Sequence, residues 1–231
     1  MKLQEYEEKE KKRMGINITH LEQGVEFVDL RSAYIDECVR IGKGTKIYPN
    51  VVLEGEVEIG ENCVIRQNTR IVDSSIGDNT EVENSVILES KIGKNTSVGP
   101  FAYIRPGSSI GDKCKVGDFV EVKNSSMAEG SKASHLTYIG DSDVGRGVNL
   151  GCGVVFVNYD GSRKYRSVIK DGAFIGCNVN IVSPVVVEEG AYVAAGSTVT
   201  KNVPAGALCV AREKERIIEG WVEKRQILKK K

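Results

Sequence analysis

Histidine is scarce: His20 and His135 are the only two in 231 residues. Two imidazoles cannot build a catalytic zinc site that needs three. A surplus of charge is also missing, because 32 Lys plus Arg balance 32 Asp plus Glu. Affinity for nucleic acid comes largely from surplus cations, so no nucleic-acid partner is expected. No apolar run approaches the roughly 18 residues of a membrane span, and no membrane partner is expected. The N-terminal stretch MKLQEYEEKEKKR lacks the apolar core of a secretory signal. The six cysteines form no CxxC pair, which argues against zinc ribbons and disulfide frameworks. A reducing cytoplasm is the expected location.

What is present is a composition of 40% hydrophobic and 28% charged residues, suited to a soluble globular chain. It is organised as a repeat. Aliphatics recur at Ile35, Ile41, Ile47, Leu53, Ile59, Ile65 and Ile71. With occasional steps of five, the series runs on to Phe156, breaks, and resumes from Ile169 to Ala205. Typical units are IGKGTK, IGENCV, IGDNTE and VAAGST. The aliphatic points inward, and the small residue four places later fills the remaining interior. The Gly or Asn before that small residue tolerates the left-handed backbone of a sharp corner. Helical spacings of three and four are lacking. Strands this short bury a face only by stacking, so an all-β solenoid of about nine to ten triangular coils is predicted. Cys63, Cys114 and Cys209 fall at the small inward position, where a thiol packs as a modest hydrophobe.

The predicted organisation has three parts. Residues 1–30 form a charged N-terminal segment, partly helical, with a solvated helix over residues 4–13 and a solvated His20. Residues 31–211 form the β-helix. Residues 212–231 form a Lys- and Glu-rich tail that carries Trp221.

Residues one coil apart stack at about 4.8 Å, so departures from the repeat can be placed in space. Arg105 and Lys123 each follow an aliphatic, where Gly is commonest, and are predicted to lie one above the other. They are either two solvated cations leaning apart or an anion site. His135 stands two places after Ala133, on the outside. Three repeats further the same column holds Cys152, then Cys177, then Ala195: a strip of small residues with a titratable base at one end. The interruption VNYDGSRKYRSV, residues 157–168, offers Asn158, Tyr159 and Lys164 on a protruding loop, a common binding device. The loop is expected to emerge next to the His135 column.

The stretches RPG, VGDFVEVK, GSKASHLTYIGD, VGRGVNLGCG, NYDG and AAGSTVTK resemble one kind of left-handed parallel β-helix acetyltransferase. It forms the C-terminal half of the bifunctional N-acetylglucosamine-1-phosphate uridyltransferase/glucosamine-1-phosphate N-acetyltransferases. The resemblance is densest from GPFAYIRPG (99–107) to GALCVAR (206–212), and the weaker repeats from about residue 35 fit the same domain. Left-handedness is implied by this resemblance alone, since general physics favours right-handed crossovers. The resemblance implies acetyl transfer from acetyl-CoA to the amine of glucosamine 1-phosphate, a step in UDP-N-acetylglucosamine synthesis that requires no metal. By motif, the catalytic base falls on His135. Sugar and phosphate contacts fall on Arg105, Lys123, Tyr138, Asn149 and Lys164. Acetyl-CoA contacts fall on Cys152, Asn158, Tyr159, Cys177, Ala195 and Arg212. The family usually has Ala and Ser where Cys152 and Cys177 stand here. The uridyltransferase half is not expected in this chain.

A histidine with a pKa near 6.5 is suited to take the amine's proton as it attacks the thioester. Glu121 is expected to orient its imidazole. A homotrimer with active sites between subunits is expected. The rival readings keep the solenoid but change the acceptor to another amino sugar, or make the protein a non-catalytic trimeric scaffold.

Overall fold

A computed structural model describes residues 3–225. Residues 226–231, the end of the expected tail, lie outside the described residues, as do residues 1–2. The chain is a left-handed parallel β-helix of about ten coils. Its three faces are parallel sheets of eleven, ten and nine strands. The first runs from Glu26–Phe27 to Leu208–Cys209, the second from Tyr34–Ile35 to Thr198–Val199, and the third from Arg40–Ile41 to Val186–Val187. Successive coils are in register, as in Val98 facing Val116 and Ile104 facing Val122. The repeated aliphatics form the interior: Ile47, Ile65, Ile87, Ile104, Ile139 and Ile175 are fully buried, with Phe156 the largest side chain among them. Corners turn through the left-handed region, and Asn62, Asn68, Asn79 and Asn95 adopt positive φ there.

Two expectations at the ends fail. The last inward aliphatic is Val203, which bridges Val187, while Ala205 is exposed in the following turn. Cys209 therefore faces Val193, in the aliphatic slot rather than the small one. At the other end, the helix α1 (Leu3–Glu22) is longer than expected and is not simply solvated. Its second half covers the first coil. Asn17 Nδ2 donates to the carbonyls of Leu30 and Ala33 at 2.9 and 3.1 Å, and Arg13 lies 4.6 Å over the Tyr34 ring. A solenoid needs such a cap, because its terminal coil otherwise shows apolar surface to water. Gly24 (φ 94°) ends the helix. No helix among the described residues is long and apolar enough to cross a membrane.

His20 departs from expectation as well. It is buried under the cap rather than solvated, and burial pushes its pKa below the usual histidine value. The local sequence is polar, so its burial comes from docking of the helix. The neutral form is favoured when folded. Charging His20 therefore costs stability as pH falls below the unfolded pKa of about 6.5, and that cost is absent above it. Thermal unfolding should show stability declining below that pH, with less decline in His20→Gln. Identical pH profiles would remove His20 from the cap.

Candidate active site

The glycines after the first-sheet aliphatics allow neighbouring coils to approach closely. A Cβ on Gly117 would lie 2.0 Å from the Ser134 carbonyl, immediately before His135. On the second sheet the same position carries Arg105 and Lys123, which stand side by side as predicted, followed by Gly140. The cations do not lean into solvent. Arg105 Nη1 donates to Glu121 Oε1 at 2.7 Å, and Lys123 Nζ pairs with Asp141 Oδ2 at 3.2 Å.

Asp141 is a hub that sequence reasoning missed. It is buried, and Asn124 Nδ2 and Asn158 Nδ2 donate to it at 2.6 and 2.5 Å. Burial opposes its charge, but hydrogen bonds from Asn124, Lys123 and Asn158 outweigh that and hold it below the usual carboxylate range. Gly140 leaves the space for this arrangement, since a Cβ there would meet Tyr138 Oη at 2.5 Å and Asn158 Nδ2 at 2.7 Å.

The 157–168 loop folds against its own coil. Arg166 donates to Asp143 and to the Asn124 carbonyl, Tyr165 N–H donates to the Asn158 carbonyl, and Tyr159 Oη donates to the Gly161 carbonyl. Lys164 reaches Lys123. Only as a neutral amine can Lys164 accept a hydrogen bond from Lys123, and this bond, then the charge of Lys123, pushes Lys164 below the ordinary lysine range. Burial opposes the charge on Lys123, yet donation to the Lys164 amine and to Asp141 leaves it above that range. Arg105 adds its field. Three basic side chains thus crowd one edge of the second face, and a bound anion there would favour the charged form of all three.

His135 lies at the opposite edge of that face, so the loop does not emerge beside it, contrary to expectation. The next correction concerns its partner. Glu121 is held by Arg105, and the carboxylate on the imidazole is Asp118, with Nδ1–H donating to Oδ1 at 2.5 Å. Asp118 faces His135 in the ladder, and the hydrogen bond from His135 holds its carboxyl below the ordinary range. An ionised carboxylate only accepts, so in the neutral imidazole the proton sits on Nδ1 and Nε2 carries the free lone pair. Asp118 was legible: it occupies the His135 column one coil earlier.

The column continues as predicted. Leu150 faces Ile175 and Ile175 faces Val193, which aligns Cys152, Cys177 and Ala195 along the corner. Arg212 Nη1 donates to the Ala195 carbonyl at 2.9 Å and prolongs the strip. Asn149 stands apart on the first face, between Lys132 and Phe174. Phe174 and Tyr192, which sequence reasoning passed over, stack beside it with ring centroids 4.5 Å apart. Next to the column, Phe101, Phe119 and Leu136 occupy successive corners. All three have positive φ (60°, 55° and 48°) and are more than half exposed.

Fold and site together define a hexapeptide-repeat β-helix protein. The family pattern described as bacterial transferase hexapeptide (six repeats) matches residues 38–72, 89–124 and 166–201. The chain is 55% identical over 213 residues to the Bifunctional protein GlmU of Clostridioides difficile strain 630, covering 92% of this chain and 46% of that protein. It is also 55% identical over 214 residues to the Bifunctional protein GlmU of Clostridium beijerinckii, covering 93% and 47%. The chain thus spans about half the length of the curated relatives it matches. The resemblance to an acetyltransferase half, drawn from motifs, agrees with this coverage. Among solved structures, an Arabidopsis UDP-N-acetylglucosamine acyltransferase has a similar fold, with a TM-score of 0.56, 16% identity and coverage of 77% of this chain and 69% of that one.

Proposed function

We propose that the chain is a cytoplasmic glucosamine-1-phosphate N-acetyltransferase that uses acetyl-CoA. The observation that carries this reading is the Asp118–His135 pair, which turns Nδ1 to the carboxylate and leaves Nε2 of the neutral ring as the base at the head of a strip of small side chains. Nε2 takes the amine's proton as nitrogen attacks the thioester carbonyl, the thiolate of coenzyme A leaves, and the amide forms. The strip from Cys152 to Ala195, closed by Arg212, is suited to a long thin coenzyme arm, with Asn158 and Tyr159 as further contacts. Arg105, Lys123 and Lys164 provide for the acceptor's phosphate, with Tyr138 and Asn149 on the sugar. Similarity to the GlmU proteins over nine-tenths of the chain supports this substrate class.

A homotrimer with shared sites completes the proposal. In a single chain, His135 and the Lys123 register are five residues apart across the second face, up to about 16 Å at strand rise. The amine and phosphate of glucosamine 1-phosphate sit on neighbouring ring carbons. A neighbouring solenoid can bring its cationic edge to this chain's His135 edge. The exposed ridge of Phe101, Phe119 and Leu136 supports a packed neighbour there, because large apolar side chains in strained corners need burial to offset their cost.

Release of free coenzyme A thiol, measured with a panel of amines, tests the reading. Glucosamine 1-phosphate should be the best acceptor, ahead of glucosamine. Arg105→Ala should raise the acceptor KM roughly tenfold or more for the phosphorylated sugar. It should change the acetyl-CoA and plain glucosamine values much less. Equal losses with both sugars would make Arg105 structural, a better unphosphorylated acceptor would replace the substrate, and no turnover with any amine would leave the scaffold reading.

A further inference from the structure

Cys152 and Cys177 are direct neighbours on successive coils. The ladder is in register on both sides of them: Gly151 N–H donates to the Ile175 carbonyl and Asn178 N–H to the Cys152 carbonyl, both at 2.8 Å. In-register strands place their Cα atoms about 4.8 Å apart, inside the roughly 4.4–6.8 Å that a disulfide spans. Gly151 allows the coils to come this close, since a Cβ there would lie 2.6 Å from Cys177 N. Both thiols are free, with Cys177 exposed and Cys152 half-buried, and neither belongs to the core.

The other four cysteines are placed differently. Cys63 and Cys114 are buried, and burial pushes both thiols up, away from the reactive thiolate. Cys38 donates its S–H to the Gly55 carbonyl at 2.9 Å, and Cys209 packs against the end of the core facing Val193.

We propose that Cys152 and Cys177 are a redox pair whose disulfide closes the strip. The bond rests on geometry alone, whereas its effect on coenzyme binding rests on the acetyltransferase reading. The oxidant is a low-molecular-weight disulfide. The exposed Cys177 thiolate attacks one of its sulfurs, the S–S bond breaks, and one small thiolate leaves. Cys152 thiolate then attacks the Cys177 sulfur and expels the second. The two cysteines lose two electrons and two protons in total, and the small disulfide gains them as two thiols. The resulting bridge fixes both side chains across the middle of the strip, between His135 and Ala195.

The reduced full chain is incubated with glutathione disulfide, quenched by alkylation, and examined by intact mass and peptide mapping. Expected is a loss of two alkylatable thiols, one peptide pair joining Cys152 to Cys177, and reversal by dithiothreitol. Cys152→Ala should instead stop at a glutathione adduct on Cys177. A stable adduct on the wild-type chain, or a bond to any other cysteine, overturns the pair. Equilibrium dialysis with acetyl-CoA then reads the consequence. The oxidised wild-type chain should bind at least about tenfold more weakly than the reduced chain, while oxidised and reduced Cys177→Ser should bind alike. A mapped Cys152–Cys177 bond with unchanged acetyl-CoA affinity overturns the closing role. A reduced chain that does not bind acetyl-CoA fails the acetyltransferase reading instead and leaves the mapped bond as evidence for the pair.

Discussion

His135→Ala is expected to lower kcat by roughly 100-fold or more, with much smaller changes in either KM, because a general base acts in the transition state rather than in binding. The side chain is half exposed and its ion-pair partner is a single carboxylate, so its removal should leave the solenoid folded. Near-normal turnover in the folded variant would take His135 out of the mechanism. Asp118 and Glu121 separate the two candidate orienting groups. Asp118→Asn keeps the shape but replaces the ionised acceptor that fixes the proton on Nδ1, and should cost kcat about tenfold or more and move the pH–rate profile. Glu121→Gln should leave that profile in place and act on the phosphorylated acceptor through Arg105, its hydrogen-bond partner at 2.7 Å. If Glu121→Gln shifts the pH profile and Asp118→Asn does not, the assignment is reversed.

Most of the fold was legible because a hexapeptide repeat repeats its physics: one inward aliphatic, one small filler, one corner. That arithmetic also placed Arg105 on Lys123 and aligned Cys152, Cys177 and Ala195. The misses arise where something other than stacking decides. Asp118 obeys the same column rule as Cys152, but one coil earlier than His135 rather than later. Glu121 belongs to the second face, where Arg105 holds it. His20 reads as a surface residue because its neighbours along the helix are charged, and its burial depends on where the helix docks. The loop edge was misjudged because Asn158 follows Phe156 on the second sheet, which puts the loop beside Asp141 rather than beside His135. Polar as it is, the loop folds on its own coil, where charge-assisted hydrogen bonds from Arg166 to Asp143 offset the cost of ordering it.

That folding-back sharpens the test of the shared site. Lys164 lies beside Lys123 of its own chain, so on the proposed reading one chain carries two separated half-sites: a base edge at His135 and a cationic edge at Lys123. If a site joins the base edge of one subunit to the cationic edge of the next, a His135→Ala chain and a Lys164→Ala chain are each inactive but carry complementary halves. In randomly mixed trimers a site is intact when one subunit retains His135 and its neighbour retains Lys164, which is about a quarter of all sites. Co-refolding equal amounts should therefore raise turnover from the background of either variant to about a quarter of the wild-type value. Unfolding before mixing lets the two kinds of chain assort at random. Native mass spectrometry, with one chain tagged, shows whether mixing has occurred. A single-chain site predicts no recovery in trimers proven to be mixed, since every chain then lacks either its base or one of its cations. That result, or a monomeric mass for the active enzyme, would assign both edges to one chain and require the acceptor to bridge the second face alone.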